Sequence, residues 1–304
     1  MQSAPDITPR SWAMVATLGL VWGATFLFIE LALEGITPFW LAAGRIVFAT
    51  ALTLVVWRMA GGRLYLSDAR DRRGLLVVGV LSTALPFMLL SWGQQFVTSA
   101  FAGVSMASVA LMVLPLAHFL VPGERMTVRR TLGFLIGFAG VCVLMGGQMF
   151  NSTGAALEPF GQLACLGAAA CYAVSSITMR RLPPIDPIGL AAVPLVIGSA
   201  VVVPLAFAME GPPPLPDGRT LLILAALGLL PTAAANLLRV LVIRSAGPVF
   251  MSLTNYQVPL WSVLLGALVL AEPVRSSLLL ALALILSGVA LSQWGALKRL
   301  FGKT

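Results

Sequence analysis

Residues 247–271 read GPVFMSLTNYQVPLWSVLLGALVLA, 25 residues without a charged side chain. At about 1.5 Å per helical residue, such a run exceeds the ~30 Å hydrocarbon core of a bilayer. Yet Thr254, Asn255, Tyr256 and Gln257 stand at its centre, beside Pro259. Lipid has no partner for such groups, so this helix is expected to lie against protein or a wet cavity. At about 100° per residue, Ser252, Asn255, Tyr256 and Pro259 share one side, and Thr254, Gln257 and Trp261 the other. One side is expected to line a cavity, the other to pack on a neighbouring helix.

The rest of the chain agrees with a membrane setting. Of 304 residues, 59% are hydrophobic and 10% charged, with mean hydropathy +0.97. A soluble domain carries about 25% charged residues to cover its surface. Ten apolar runs near spanning length follow one another: 11–33, 38–57, 75–93, 99–120, 131–147, 161–180, 188–208, 220–242, 247–270 and 278–296. None shows the alternation of a barrel strand. The first run is long enough to be a retained helix rather than a cleaved signal. Cys142, Cys165 and Cys171 lie within apolar runs, with no CxxC, and read as small hydrophobes.

Charge sets the expected orientation. With the N-terminus inside, fifteen of the nineteen Lys and Arg residues fall on the cytoplasmic side, among them Arg10, Arg63, Arg70, Arg125, Arg180 and Lys303. Only Arg219 and Arg275 fall opposite, and Arg45 and Arg239 lie within helices. This asymmetry predicts both termini in the cytoplasm, and accounts for the basic net charge without nucleic acid. Trp12, Trp40, Trp57, Trp92 and Trp294 lie near helix ends, where amphipathic rings suit the interface. Trp22 and Trp261 lie mid-helix.

The chain repeats itself. LVPGERMTVRRTLGFLIGFAGVCVLMGG, from Leu120, resembles LVLAEPVRSSLLLALALILSGVALSQWG, from Leu268, with Gly140 and Gly288 at equal distance from Glu124 and Glu272. LVWGATF from Leu20 matches ACYAVSS from Ala170; Pro38 matches Pro187, Pro86 matches Pro231, and Pro115 approximately matches Pro259. Five helices per copy is an odd number, so the second copy enters the membrane upside down. The expected fold is therefore an all-α integral membrane protein of ten helices in two inverted five-helix repeats, 11–147 and 161–297. Inverted repeats mark secondary transporters, with the site at the midplane between halves.

LVWGATFLFIELAL in the first helix, Pro38 followed by LAAGR in the second, and GERMT then GFAGVCVL around the fifth resemble the EamA-type members of the drug/metabolite transporter superfamily. The resemblance covers nearly the whole chain. Within the superfamily it is similar to bacterial exporters of aromatic and other neutral amino acids. It implies a bacterial inner membrane and alternating access, and leaves the cargo open, since relatives carry sugars, nucleotides and drugs. Two departures separate the halves. Nine residues part Pro115 from Glu124 but thirteen part Pro259 from Glu272, and AEP replaces Gly-Glu-Arg in the second half.

Polar and aromatic groups at mid-depth are the candidates for a substrate site. They are Trp22 and Phe26; Arg45; Ser82, Thr83 and Phe87; Tyr172 and Ser175; Asn236; and Asn255, Tyr256 and Trp261. Thr232, Asn236 and Arg239 form one stripe of the eighth helix. Arg45 is paired with Glu30 or capped by carbonyls, or else is a docking point for a substrate carboxylate, which arginine suits. Arg239 is expected to snorkel to the cytoplasmic face, and His118 to pack. Pro115 and Pro259 are candidate hinges, each lacking an N–H and clashing with the carbonyl four residues back. Every Asp and Glu but Glu30 lies at a helix end or in a loop, and Glu30 is near an end, so nothing marks proton coupling.

No HExxH, CxxC, GxSxG or P-loop is present, which argues against an enzyme and against direct drive by ATP. No metal or other cofactor is expected. The sequence predicts a monomeric inner-membrane exporter of small neutral metabolites, amino acids above all. A carrier of other metabolites or drugs, or a channel-like facilitator, is the alternative.

Overall fold

The computed structural model describes residues 7–62, 69–149, 157–183 and 186–301, and every element among them is helical. Arg63 and Lys303, counted above for orientation, lie outside the described residues, as do Asp6 and Asp68. Eight helical stretches, from Pro9–Leu33 to Gly218–Gly247, are long and apolar enough to cross a membrane.

Helix α1 (Pro9–Leu33) opens on Thr8, whose side-chain oxygen accepts the Ser11 N–H at 3.3 Å, with Pro9 preset for the first turn. Helix α2 (Pro38–Met59) also begins on a proline. The third run is α3 (Ala69–Gly79) and α4 (Leu85–Gly93), joined by a π-helical turn, Val80–Ala84. The fourth is α5 (Ser99–Met106) and α6 (Ser108–Leu120), interrupted at Ala107. Then come α7 (Val128–Met149), α8 (Glu158–Arg180) and α9 (Pro187–Glu210). The eighth run is α10 (Gly218–Leu227), a π-helical segment Gly228–Ala234, and α11 (Ala235–Met251). Gly247, at φ 84° and ψ 164°, kinks α11 where only glycine is comfortable. Helices α12 (Thr254–Val269), α13 (Ser276–Ser292) and α14 (Trp294–Phe301) complete the chain.

The interruptions come in matched pairs. π-Helical turns stand beside Pro86 and around Pro231. Ala107 lies seventeen residues before Glu124, and Leu253 nineteen before Glu272. The break in the opening stretch is therefore at Ser252–Leu253, not at Pro259. There the ladder tightens to bonds three residues back: Leu253 N–H to Phe250 O at 3.1 Å, Asn255 N–H to Ser252 O at 3.1 Å and Tyr256 N–H to Leu253 O at 3.2 Å. The helix runs on through both Pro115 and Pro259.

Glycines set the closest approaches between helices. A Cβ at Gly133 would run into the Gly288 carbonyl and Ser292, so α7 and α13 meet backbone to backbone. Gly19 and Gly23 do the same for α1 against α12: Gln257 covers Gly19, and the Trp261 Cβ covers Gly23. Thr254 is buried, its hydroxyl on the Met251 carbonyl at 2.8 Å. Thr254, Gln257 and Trp261 thus form the packing side of the opening stretch.

Ile7 and Leu300 pack on one cluster with Ala246 and Phe250, so both ends of the described chain share a face, here the terminal face. The opposite, far face is tied across the two halves. The Glu210 carboxylate accepts the Phe39 and Trp40 N–H groups at 3.0 and 3.1 Å and the Thr37 hydroxyl at 2.5 Å. Glu272 accepts the Ser99 and Ala100 N–H groups at 2.8 and 3.0 Å. Each carboxylate thereby satisfies orphan donors at a helix start and meets the positive end of its dipole. Glu34 pairs with Arg219 at 2.9 Å. Helix α5 packs along α12 behind this seam.

Candidate functional site

The site is built on the irregular turn of the eighth run. Pro231 has no N–H, which frees the Leu227 carbonyl. The Thr232 hydroxyl donates to that carbonyl at 2.8 Å. The Pro231 carbonyl accepts the Trp22 indole N–H at 3.0 Å, and the Thr232 carbonyl accepts the Asn236 amide at 2.6 Å. A π turn needs such outside partners, and here each comes from a side chain already suspected of a site role.

Gly228 brings this turn against α2. A Cβ there would stand 2.6 Å from the Arg45 carbonyl oxygen. The close approach lets Thr232 reach Arg45, whose Nε donates to the Thr232 hydroxyl at 2.8 Å. The guanidinium lies over the Phe87 ring, its central carbon 3.9 Å from the centroid. Arg45 is 6% exposed. Tyr172, packed against the Phe87 cluster, lies within electrostatic range of it.

The expected alternative, a pair between Arg45 and Glu30, is not formed. No carboxylate lies within 4.0 Å of Arg45 among the described residues. Glu30 faces Gln94 instead, whose amide donates to it at 3.4 Å. The bond from Nε is the one hydrogen bond the Arg45 guanidinium makes among the described residues. A buried cation of this kind is costly. The contact with Phe87, at about 0.5–2 kcal/mol, offsets part of that and leaves the planar edge of two N–H groups for an anion.

Trp22, Arg45, Phe87, Tyr172 and Asn236 are thus gathered around Thr232. The other candidates fall elsewhere. Phe26 belongs to the core around Phe101. The Thr83 hydroxyl donates to the Gly79 and Pro194 carbonyls at 2.6 and 3.1 Å, tying the first π turn to α9. Ser175 is buried on α8, and Ser82 half-buried in the first π turn. Asn255 is exposed at the start of α12. Tyr256 is half-buried, its hydroxyl without a partner, and Trp261 is half-buried over Gly23. A small cleft on the far face, lined by Phe96, Thr98, Glu158 and Arg275, includes none of these residues.

Sequence reasoning missed Gly228 and the inter-half carboxylates Glu210 and Glu272. A proline within an apolar run followed by threonine was the available sign of the π turn. Nothing local in the sequence marks a carboxylate that caps a helix of the other half.

Two stretches of the chain, residues 10–146 and 159–294, match the EamA-like transporter family. The uncharacterized inner membrane transporter YedA of Escherichia coli strain K12 is 26% identical, over 95% of this chain and 92% of YedA. The uncharacterized transporter YvbV of Bacillus subtilis is 25% identical, over 93% of this chain and 91% of YvbV. A crystal structure of a protein sharing 23% identity superposes with TM-score 0.66, covering 97% of this chain and 100% of the other, and shows the fold alone. With nearly its whole length matched in two copies and eight apolar helices long enough to span, the chain belongs to the EamA-like transporter family and is a multi-pass membrane transporter.

Proposed function

We propose that this protein exports small neutral metabolites across a bacterial inner membrane, most of all amino acids including aromatic ones. It does so as a monomer, by alternating access around a midplane site at Arg45. Ten spans form two inverted five-helix repeats, with the terminal face in the cytoplasm. The cytoplasmic placement rests on the fifteen-to-two division of Lys and Arg, and the inner membrane on the likeness to YedA.

One observation carries the reading: Arg45 is buried on Phe87 and Thr232 with no carboxylate partner among the described residues. A solute carboxylate supplies the missing charge in the bidentate geometry that arginine favours. Trp22, Phe87 and Tyr172 then offer aromatic surface to an apolar or aromatic body. The Glu210 and Glu272 carboxylates tie the far seam across the halves, and this conformation is read as open towards the cytoplasm.

Proteoliposomes loaded with one labelled amino acid at a time test it. Saturable counterflow of phenylalanine or another neutral amino acid is expected. Linear flux without counterflow would make the protein a channel, and flux of only solutes without a carboxylate would remove the proposed role of Arg45.

A further inference from the structure

One carboxylate stands inside a span and away from the site. Trp22, Phe26 and Glu30 are four residues apart on α1, so they form one line from the π turn to the far seam. Gln94, at the end of α4, joins that line. Its Nε2 donates to the Phe26 carbonyl at 2.9 Å and to Glu30 at 3.4 Å. Gln94 is 1% exposed, and its Oε1 has no partner.

The charged surroundings of Glu30 are otherwise occupied. On its own helix, Glu34 is held by Arg219 of α10. Glu272, which follows α12, is held by the Ser99 and Ala100 N–H groups of α5. Helix α5, the Gly228–Ala234 turn and α4 carry no other titratable side chain, and α10 only Arg219. On α12 the titratable group is Tyr256, near the opposite end; on α2 they are Arg45 and Arg58, and on α11 Arg239 and Arg244. No cation lies within 4.0 Å of Glu30 among the described residues.

We propose that Glu30 and Gln94 form a proton-binding site at the far mouth that couples transport to a proton gradient. An ionised Glu30 has one long hydrogen bond. A neutral carboxyl is a donor as well as an acceptor. One oxygen already lies 3.4 Å from Nε2 of the amide, and a side-chain rotation brings its O–H to the neighbouring Oε1, which lacks a donor. Glu30 takes one proton to form the neutral carboxyl and returns it when the far mouth opens to water. No other group changes oxidation or bonding state. Because Gln94 also grips the Phe26 carbonyl, the protonation state of Glu30 is felt along the α1 face that carries Trp22.

The site rests on this chain's being a transporter, and its test has an arm that does not depend on cargo. In reconstituted protein, infrared difference spectra between mildly acidic and mildly alkaline buffer should contain the carbonyl stretch of a protonated carboxyl that is missing in Glu30→Gln. Unchanged spectra in Glu30→Gln overturn the assignment, whether or not phenylalanine is carried. In proteoliposomes, Glu30→Gln should retain phenylalanine exchange at equal pH and lose accumulation driven by a pH gradient. Gradient-driven accumulation surviving in that variant overturns the coupling.

Discussion

Glu272 and Glu124 occupy the same place in the two copies of the repeat and have different partners. Glu272 reaches across to the other half and holds the start of α5 through two backbone N–H groups. Glu124 stays with arginines, Arg130 at 2.7 Å and Arg180 at 3.6 Å, all partly exposed. The counterpart of α5 is the segment after Gly247, and there Pro248 has no N–H to give. The difference teaches that the two copies of the repeat do not hold their carboxylates in the same state. One carboxylate is engaged on a helix start of the other half; the other is on a solvated ion pair. Under the proposed inverted topology, copies in unlike conformations are what alternating access requires. In the opposite state, Glu124 should reach the Val249 and Phe250 N–H groups while Glu272 lets go.

Arg45 is the centre of the proposed site, and its loss should have the largest effect. Arg45→Gln is expected to reduce phenylalanine counterflow about tenfold to hundredfold, as for a hydrogen bond to a charged group at ~1.5–3 kcal/mol. Membrane insertion should be retained. Near-normal flux in Arg45→Gln would place the site elsewhere.

Glu272→Ala comes next. Losing a helix-start cap of about 1–2 kcal/mol should shift the resting population several-fold to roughly thirtyfold towards an open far mouth. A cysteine replacing the buried Ser105, in a chain whose own cysteines are removed, should then react faster with an impermeant reagent from the far side. Glu124→Ala should leave that resting reactivity unchanged, because exposed ion pairs contribute about 0–1 kcal/mol, yet slow turnover by weakening the opposite state. Equal shifts in both variants would dissolve the contrast between the mouths.

Trp22→Phe removes the bond to the Pro231 carbonyl together with part of the ring surface, and the bond alone should account for about 1 kcal/mol of affinity or stability. The prolines test where bending occurs. Pro115→Ala and Pro259→Ala should slow transport modestly and shift cysteine accessibility in opposite directions. If they are silent while substitutions at Ala107 and Leu253 are not, motion belongs to the interruptions themselves.

The smallest effect is a pH effect at the far face. The Thr220 hydroxyl and N–H hold the Asp217 carboxyl below its usual value, capping α10. A lowered carboxyl stabilises the helix start above the unfolded-state value, and that stabilisation is lost as pH falls through the folded one. Amide protection at the first turn of α10, measured against the intrinsic exchange rate at each pH, should fall in acid in the wild type and be lower at neutral pH in Asp217→Ala.

The sequence made legible what hydropathy and residue type decide. Apolar runs marked the helices, and a lone mid-helix arginine, an off-belt tryptophan and a polar stripe marked Arg45, Trp22 and Asn236. Legibility ended where backbone bonding decides. Pro259 announces a weakened turn, but the helix runs through it and the ladder changes to bonds three residues back at Ser252–Leu253 instead. Phe26 and Thr83 have the chemistry of a site and serve packing and π-turn closure instead. Glu272 reads as a loop acid because its partners, Ser99 and Ala100, lie 173 and 172 residues away.

The most direct measurement is competition in proteoliposomes. Labelled phenylalanine is exchanged against unlabelled phenylalanine or phenylalaninamide, which keeps the ring and lacks the carboxylate, in wild type and Arg45→Gln. Phenylalanine should compete and the amide should not in the wild type, and Arg45→Gln should lose that discrimination. Equal competition by the amide in the wild type would contradict a carboxylate held at Arg45.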